Sequence, residues 1–516
     1  MTTIKKYLPW AGAALLSIWT VLRHITNGIN MDVTGQIGLV AQWSSGLRGG
    51  AELGPTNYVI KMPLYWLMNH ATFFSPRLRL LLLALICNLA AFALIYWLGS
   101  KLLKQQKIKN DTLWRIAIMW LGLLGGRVFW ADYANSRNLE IAGGLAVVYL
   151  VLITVQKLSW PKLMGLAALA SLVFFADPLE MYLLLPPLVV YGLTMAWQQK
   201  TKTPLLVGVG LLAGLLGAKL LKQLTVWLLP IHFAQLPRIH MAPNWTTLKQ
   251  IVGGVTNSTL RLFDMNFTGR ALGPNTVRQL MSAIIVGGII IFLARHWRTI
   301  KSSVKWLLLG ILIWNYAVYV ASGNAIFAMT ERYIVWVAIS LLLLIGLAGD
   351  ALKKQRRMQI SWLALMAVSG ILLVGALVIS WPQRFSKDVP TFDTAQLAQS
   401  KQYDYAIASW QLAVPANYFA GYNVTPVLPV VCKDGQHITL RDMFYDADAW
   451  AKLGQSNSKV ALLLPDAGID SGPIHCSKEN ILTQLSNPVP VGRLPSVGSI
   501  YELRGNGTAL QTLRTP

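Results

Sequence analysis

Long apolar runs separated by short polar loops occupy the first three quarters of the chain. Runs long enough to cross, or nearly cross, a bilayer of ~30 Å hydrocarbon thickness fall at 7–23, 78–100, 113–130, 139–156, 161–176, 179–197, 204–228, 279–294, 304–320, 333–349 and 359–381. They predict about eleven transmembrane helices. The runs at 161–176 and 279–294 are short, and that at 204–228 contains Lys219 and Lys222. Tyr7 to Leu22 has the look of a signal peptide, but no small-residue cleavage site follows, so it is read as a retained first helix. A shorter run, Leu64 to Met68, suits an interfacial helix.

The pattern changes at Pro382. Strand-like runs at Tyr405 to Trp410, Val424 to Val431, Val460 to Leu464 and Ser499 to Leu503 alternate with turn-rich stretches such as Asp466 to Asp470. A transmembrane domain over 1–381 followed by a small α/β domain over 382–516 is therefore expected.

Composition removes other classes. With 54% hydrophobic residues, 13% charged residues and a mean hydropathy of +0.48, the chain is too apolar for a soluble globule. Its net charge of +24 resides wholly before Pro382, where thirty-four basic residues face ten acidic ones; the tail holds eleven of each. Basic bias in short membrane loops reports orientation, and a nucleic-acid partner is excluded on that ground. Lys5 and Lys6, Lys101 to Lys109, Lys157 and Lys162, Lys200 and Lys202, Arg295 to Lys305, and Lys353 to Arg357 mark alternate loops as cytoplasmic. With an odd number of spans, the N-terminus is inside and the tail outside. Asp32, Glu52, Asp132, Glu140, Asp177, Glu180, Asp264 and Glu331 then lie towards the outer face, and only Asp111 and Asp350 inside.

Ionisable groups at membrane level are costly and tend to be functional. Asp32, just beyond the first helix, has the position of a general base in a partly dry site; it also suits a plain turn in Asn30-Met31-Asp32-Val33-Thr34-Gly35. Lys61 in Lys61-Met62-Pro63-Leu64-Tyr65 and Arg332 in Thr330-Glu331-Arg332-Tyr333 can each meet a lipid phosphate, or snorkel to ordinary head groups. Glu331 can simply neutralise Arg332. Asp132 and Glu140 flank Arg137; Glu140 opens a helix, whose partial positive charge stabilises it, while Asp32, Asp132 and Glu140 together are oxygen donors for a divalent ion. Asp177-Pro178 reads as an N-cap with proline at the first helical position. His232 and His240 lack ligand spacing. Asn-x-Ser/Thr matches such as Asn244, Asn257 and Asn266 indicate little by themselves. Among the three cysteines, Cys87 lies in an apolar run, and Cys432 and Cys476 can pair if the tail faces an oxidising compartment.

Taken together, the many helices, the acid in a long first outer loop, Lys61 to Tyr65, Ser136 to Glu140, Asp177-Pro178, Glu331 to Tyr333 and the C-terminal domain resemble the GT-C membrane glycosyltransferases. The nearest likeness is to the protein O-mannosyltransferase-like and lipid A aminoarabinose transferase-like branch. It implies an N-in, C-out polytopic enzyme of the plasma membrane, with its active site and tail domain extracytoplasmic. A polyprenyl-phosphate sugar would be donor, and a glycan, lipid or protein the acceptor. Asp32 would be the catalytic acid of the first loop, though it stands alone where many members carry two acids. Lys61 would bind the donor phosphate, and Asp132, Arg137, Glu140 and Glu331 would serve the acceptor or a divalent ion. Arg332 is a second phosphate candidate. A non-enzymatic transporter or binding protein for lipid-linked glycans, and a ligase- or polymerase-like enzyme using Arg261, Arg270 and His240, are the alternatives.

Overall fold

The computed structural model describes residues 2–26, 34–35, 37–38, 40, 51–53, 59–129, 137–201, 203–228, 231–233, 245–269, 271–300, 302–322, 331–350, 356–383, 388–421, 424–440, 458–471, 474–485, 488–503 and 513. In chain order its helices begin with α1 (Thr2–Thr26), α2 (Met62–His70), α3 (Pro76–Gln105), α4 (Thr112–Val128), α5 (Asn138–Gln156), α6 (Trp160–Ala176), α7 (Pro178–Gln199) and α8 (Thr203–Leu228). There follow α9 (Trp245–Leu262), α10 (Pro274–His296), α11 (Val304–Ala321), α12 (Val335–Leu347) and α13 (Arg356–Ser380). Each of the eleven apolar runs falls on one of these helices. Among the described residues, seven helices are long and apolar enough to cross a membrane: α3, α5, α7, α8, α10, α11 and α13. The apolar α6 and α12 are shorter.

Burial separates the lipid-facing helices from the central ones. α12 is buried along its whole length and α4 along nearly all of it, as expected of helices that are apolar all round and sit inside a bundle. α1 lies directly on α4. A Cβ on Gly122 would fall 2.1 Å from the Gly12 carbonyl oxygen, and Gly125 and Gly126 leave room for Leu16 and Trp19. Close backbone approach at small residues is the usual way apolar helices associate without a hydrophobic driving force between them. Exposed tryptophans mark both ends of the bundle: Trp10, Trp97, Trp160 and Trp197 at one, Trp66, Trp227, Trp245 and Trp381 at the other. Such rings favour the two membrane–water boundaries.

The basic end is closed by Asp350, which accepts from the backbone N–H groups of Lys109 (3.1 Å) and Asn110 (2.9 Å). At the opposite end, residues 34, 37 and 40 of the first long loop are buried, and Asn69 of α2 donates to the Ile37 carbonyl at 2.9 Å. A short parallel ladder between β1 (Ala51–Leu53) and β2 (Ile231–Phe233) joins that loop to the segment after α8. α2 is the short helix expected over 64–68. α9 was not expected; it lies within what the apolar pattern leaves as a long outer loop.

Beyond α13 the chain forms α14 (Val389–Gln399), β3 (Tyr405–Ser409), α15 (Trp410–Ala420), β4 (Val427–Cys432), β5 (Ile438–Leu440), β6 (Val460–Leu464), β7 (Ile469–Ser471), β8 (Ile474–Cys476), α16 (Lys478–Gln484), β9 (Val489–Leu494) and β10 (Gly498–Leu503). Six strands make one mixed sheet in the order β5-β4-β3-β6-β10-β9, with β3 parallel to β4 and β6. Alternate residues serve opposite faces. Ala406, Ala408, Ala461 and Leu463 meet α14 and α15 on one face, while Ile407, Leu462 and Leu464 join Ile481 of α16 on the other. Cys432 and Cys476 are disulfide-bonded, with Cα atoms 5.5 Å apart.

This sheet unit rests on the loop-bearing end of the bundle. Arg77 pairs with the fully buried Asp388, its guanidinium lies 5.8 Å from the centre of the Phe392 ring, and Arg79 lies 5.9 Å over Tyr418. Tyr418 itself belongs to a buried apolar cluster with Ile37, Tyr65, Met68, Leu80 and Leu83, and burial pushes its phenol up to about 12 against the opposing pull of Arg79. It therefore stays neutral throughout the physiological range.

The Gly12–Gly122 contact makes a direct prediction. Gly122→Val should lower stability by roughly 1–3 kcal/mol through overpacking, read as a lower melting temperature of the detergent-purified protein. Gly208→Val, at a site with no neighbouring atom within 4 Å, should not.

Candidate functional site

Opposite charges at helix ends converge beneath the sheet unit. Lys61 closes a single 3-10 turn, Val59–Lys61, and leads directly into α2 with Pro63 in its first turn. Glu140 sits in the first turn of α5, where the helix dipole favours a carboxylate. Lys61 Nζ lies 3.0 Å from Glu140 Oε2, and both side chains are fully buried. Lys61 is thus no snorkelling lysine; its charge is withdrawn from water and meets an acid from another helix.

A second group adjoins the first. Arg137, just before α5, pairs through Nε with Asp177 and donates from a terminal nitrogen to Glu180 Oε1 at 2.7 Å. Asp177 has two tasks: its Oδ1 accepts from Leu179 N–H at 3.1 Å as the N-cap of α7, and its other oxygen takes Arg137. The second oxygen of Glu180 accepts from Trp336 Nε1 at 2.8 Å. Gly144 makes room for this arrangement, since a Cβ there would fall 2.7 Å from Glu180 Oε2 and 2.8 Å from the Trp336 ring. Beneath the charges a polar ladder runs from Asn138 to Asn88 (2.8 Å) and on to Thr20 (3.0 Å), joining α5, α3 and α1.

Arg278 and Asp264 form another buried pair at this end, with the guanidinium 4.7 Å over the Trp19 ring. Asp264 adopts φ +54°, a left-handed turn that Asp tolerates better than most residues. The pair links the end of α9 to the start of α10 across α1.

Five buried ionic side chains, Lys61, Arg137, Glu140, Asp177 and Glu180, therefore lie together, three acids to two bases. Isolated burial of any one would be prohibitive, so the pairing is a condition of folding. Chemically, each of the two bases is held by buried acids, and the five side chains together carry one more formal negative charge than positive. Glu140 and Arg137, named from sequence as acceptor or metal candidates, are brought into this one cluster with Lys61. Asp32 and Asp132 lie outside the described residues, as do the side chains of Glu331 and Arg332. Among the described residues, no group of three or more His, Cys, Asp or Glu side chains is arranged to hold a metal ion, and the suggested set Asp32, Asp132 and Glu140 has only Glu140 within them. Sequence reasoning missed the roles of Glu180, Trp336 and Asn88. An expectation that opposite charges at one end of an apolar bundle must pair would have pointed to Glu180.

The fold and this cluster define a helical membrane protein with a charged centre at one end of its bundle, under a small α/β unit. Compared with protein-family models and with curated proteins, the chain gives no match.

Removing Arg137 leaves two buried carboxylates facing each other. Arg137→Gln should cost roughly 3–5 kcal/mol and reduce folded yield. Arg137→Lys should rescue only in part, because an ammonium cannot span two carboxylates as a guanidinium fork does. The neutral triple Arg137→Gln, Asp177→Asn, Glu180→Gln should recover most of the loss, and size-exclusion profiles after graded heating report all three.

Proposed function

We propose that the protein is a polytopic plasma-membrane glycosyltransferase that takes a sugar from a polyprenyl-phosphate donor on the extracytoplasmic side and passes it to an acceptor hydroxyl. About eleven helices would cross the bilayer, with the N-terminus inside and the sheet unit outside. The observation that carries the reading is the buried charge cluster of Lys61, Arg137, Glu140, Asp177 and Glu180. A chain otherwise so poor in membrane-level charge concentrates it at one end, beside the loop that holds Asp32. Further support comes from Thr34 and Ile37, buried only a few residues past Asp32, and from the bond that ties Ile37 to α2, the helix that Lys61 enters.

In this reaction Asp32 takes the proton of the acceptor hydroxyl while its oxygen attacks the anomeric carbon. The bond from that carbon to the phosphate oxygen breaks, and the lipid phosphate leaves with the electron pair. Attack opposite the leaving group inverts the configuration. Lys61 meets the developing phosphate charge, with Arg332 as a second cation; fixed cations at a dry site stabilise such anions far better than they do in water. Glu140 holds Lys61 at rest, so phosphate and Glu140 compete for one ammonium. The resulting single displacement needs only positioning, one base and charge stabilisation. The acceptor would be a glycan, a lipid or a protein, admitted beneath the sheet unit.

Purified protein supplied with radiolabelled polyprenyl-phosphate sugars should transfer label, and Asp32→Asn should lower the rate by roughly 10²–10⁴-fold, the usual contribution of a positioned base. Equal rates would remove Asp32 as base. Loss of transfer on substituting Arg261, Arg270 or His240, with Asp32→Asn active, would favour ligase-like chemistry instead.

A further inference from the structure

Three buried polar side chains lie beneath the charge cluster without belonging to it. Thr20 of α1, Asn88 of α3 and Asn138 of α5 are each fully buried, and Asn88 has the buried Ala84, Cys87 and Ala91 beside it on its own helix. Their bonds run one way. Asn138 Nδ2 donates to Asn88 Oδ1 at 2.8 Å, Asn88 Nδ2 donates to Thr20 Oγ1 at 3.0 Å, and the Thr20 hydroxyl donates to the Leu16 carbonyl at 2.9 Å. Directional contacts thus join three helices through an apolar layer.

Between apolar helices in a bilayer no hydrophobic driving force selects one register over another. A buried amide does select, because a donor or acceptor left without its partner costs more than the bond itself contributes. Fixing register is the best-attested use of a buried polar group. A slip of one residue on α5 would move Asn138 by about 1.5 Å along the axis and turn it by about 100°, and Asn88 would lose its donor.

That register governs what lies on either side of the ladder. Asn138 is the first residue of α5, between Arg137 and Glu140, so a slip that parts it from Asn88 also carries Glu140 away from Lys61 and Arg137 away from Asp177 and Glu180. Cys87, next to Asn88, lies within electrostatic reach of both Lys61 and Glu140, which puts this part of α3 beside that pair. At the other end, Thr20 belongs to the helix that leads towards Asp32. Its neighbour Trp19 fixes α1 to α4 by donating from the indole to the Leu123 carbonyl at 2.6 Å.

We propose that Asn138, Asn88 and Thr20 are positioning residues: they set α5 against α3 and α1, and so hold the Lys61–Glu140 and Arg137 pairs at a fixed place relative to the end of α1. The reaction served is the glycosyl transfer proposed above, and to that extent the assignment rests on that reading; the register rests on the bonds alone. None of the three touches substrate.

The experiment compares the full-length wild type with Thr20→Ser, Asn88→Leu and the combined variant Thr20→Val, Asn88→Leu, Asn138→Ala. It reads the melting temperature in detergent, the Lys61–Glu140 separation in a structure of each variant, and transfer of labelled polyprenyl-phosphate sugar. Asn88→Leu should melt lowest, because it strands the Asn138 amide in the apolar layer. The combined variant should regain most of that loss, since replacing the partners together by apolar groups is nearly neutral. It should nevertheless hold Lys61 Nζ out of hydrogen-bond distance of Glu140 and lower kcat roughly 10²-fold with little change in KM, the usual cost of a misplacement of about 1 Å. Thr20→Ser keeps the hydroxyl and should match the wild type in all three readouts. A folded combined variant with the pair still at 3.0 Å overturns the proposal, whatever its rate. Should that variant not fold, Thr20→Val alone decides by the same separation. Absence of transfer by the wild type would strike the proposed reaction and leave the separation to judge the ladder.

Discussion

Withdrawal of charge from water is the constraint on which this structure depends. Glu140, Asp177 and Glu180 are fully buried, as is Lys61, and Arg137 is nearly so. None could remain ionised there alone, because burial in a low-dielectric interior disfavours the charged form unless a partner or hydrogen bonds replace the lost water. The bundle answers this by bringing the starts of α2, α5 and α7 to one place. Arg137 is well suited to the centre of it, since its planar fork reaches two carboxylates that a single ammonium cannot. Replacing such a cluster by apolar side chains often costs a protein nothing. Its presence here is thus weak evidence for stability, and stabilising a phosphate leaving group is the role proposed for it.

The same end of the molecule collects everything else that bears on access. The loop beyond Asp32 is fixed to α2 through Asn69 and Ile37, and the sheet unit is fixed to α3 through Arg77 and Asp388. Tyr418 belongs to the buried apolar cluster that also holds Ile37 of the loop and Leu80 and Leu83 of α3. Such attachment would serve the proposed glycosyl transfer, whose rate would depend on holding an acceptor oxygen in line with the anomeric carbon.

Much of this could be read from the chain. Apolar runs identified the positions of the bundle helices, because membrane-length hydrophobicity is a signal that needs no partner. Four of the sheet strands announced themselves as apolar or β-branched runs, β3, β4, β6 and β10. β9 did not, since Val489 and Val491 are exposed on an edge that also contains Pro490, and α9 escaped because Lys249, Asn257 and Arg261 break its apolarity below that of a span. For the site, the charged residues were individually visible while their pairings were not. Arg137 meets its partners 40 and 43 residues away, and no local pattern records that. Asp177 was also screened by its own adequacy as an N-cap: one oxygen explained the residue, and nothing in the sequence spoke for the other.

Competition for the Lys61 ammonium offers the sharpest test. Binding of a polyprenyl phosphate to the full-length protein in nanodiscs should be measured for the wild type, Glu140→Gln and Lys61→Gln. Freed of its carboxylate, Lys61 in the Glu140→Gln variant should hold the phosphate more tightly than the wild type does, while Lys61→Gln should lose it. Weaker or unchanged binding by Glu140→Gln, together with normal binding by Lys61→Gln, would contradict a phosphate-binding role for this buried pair.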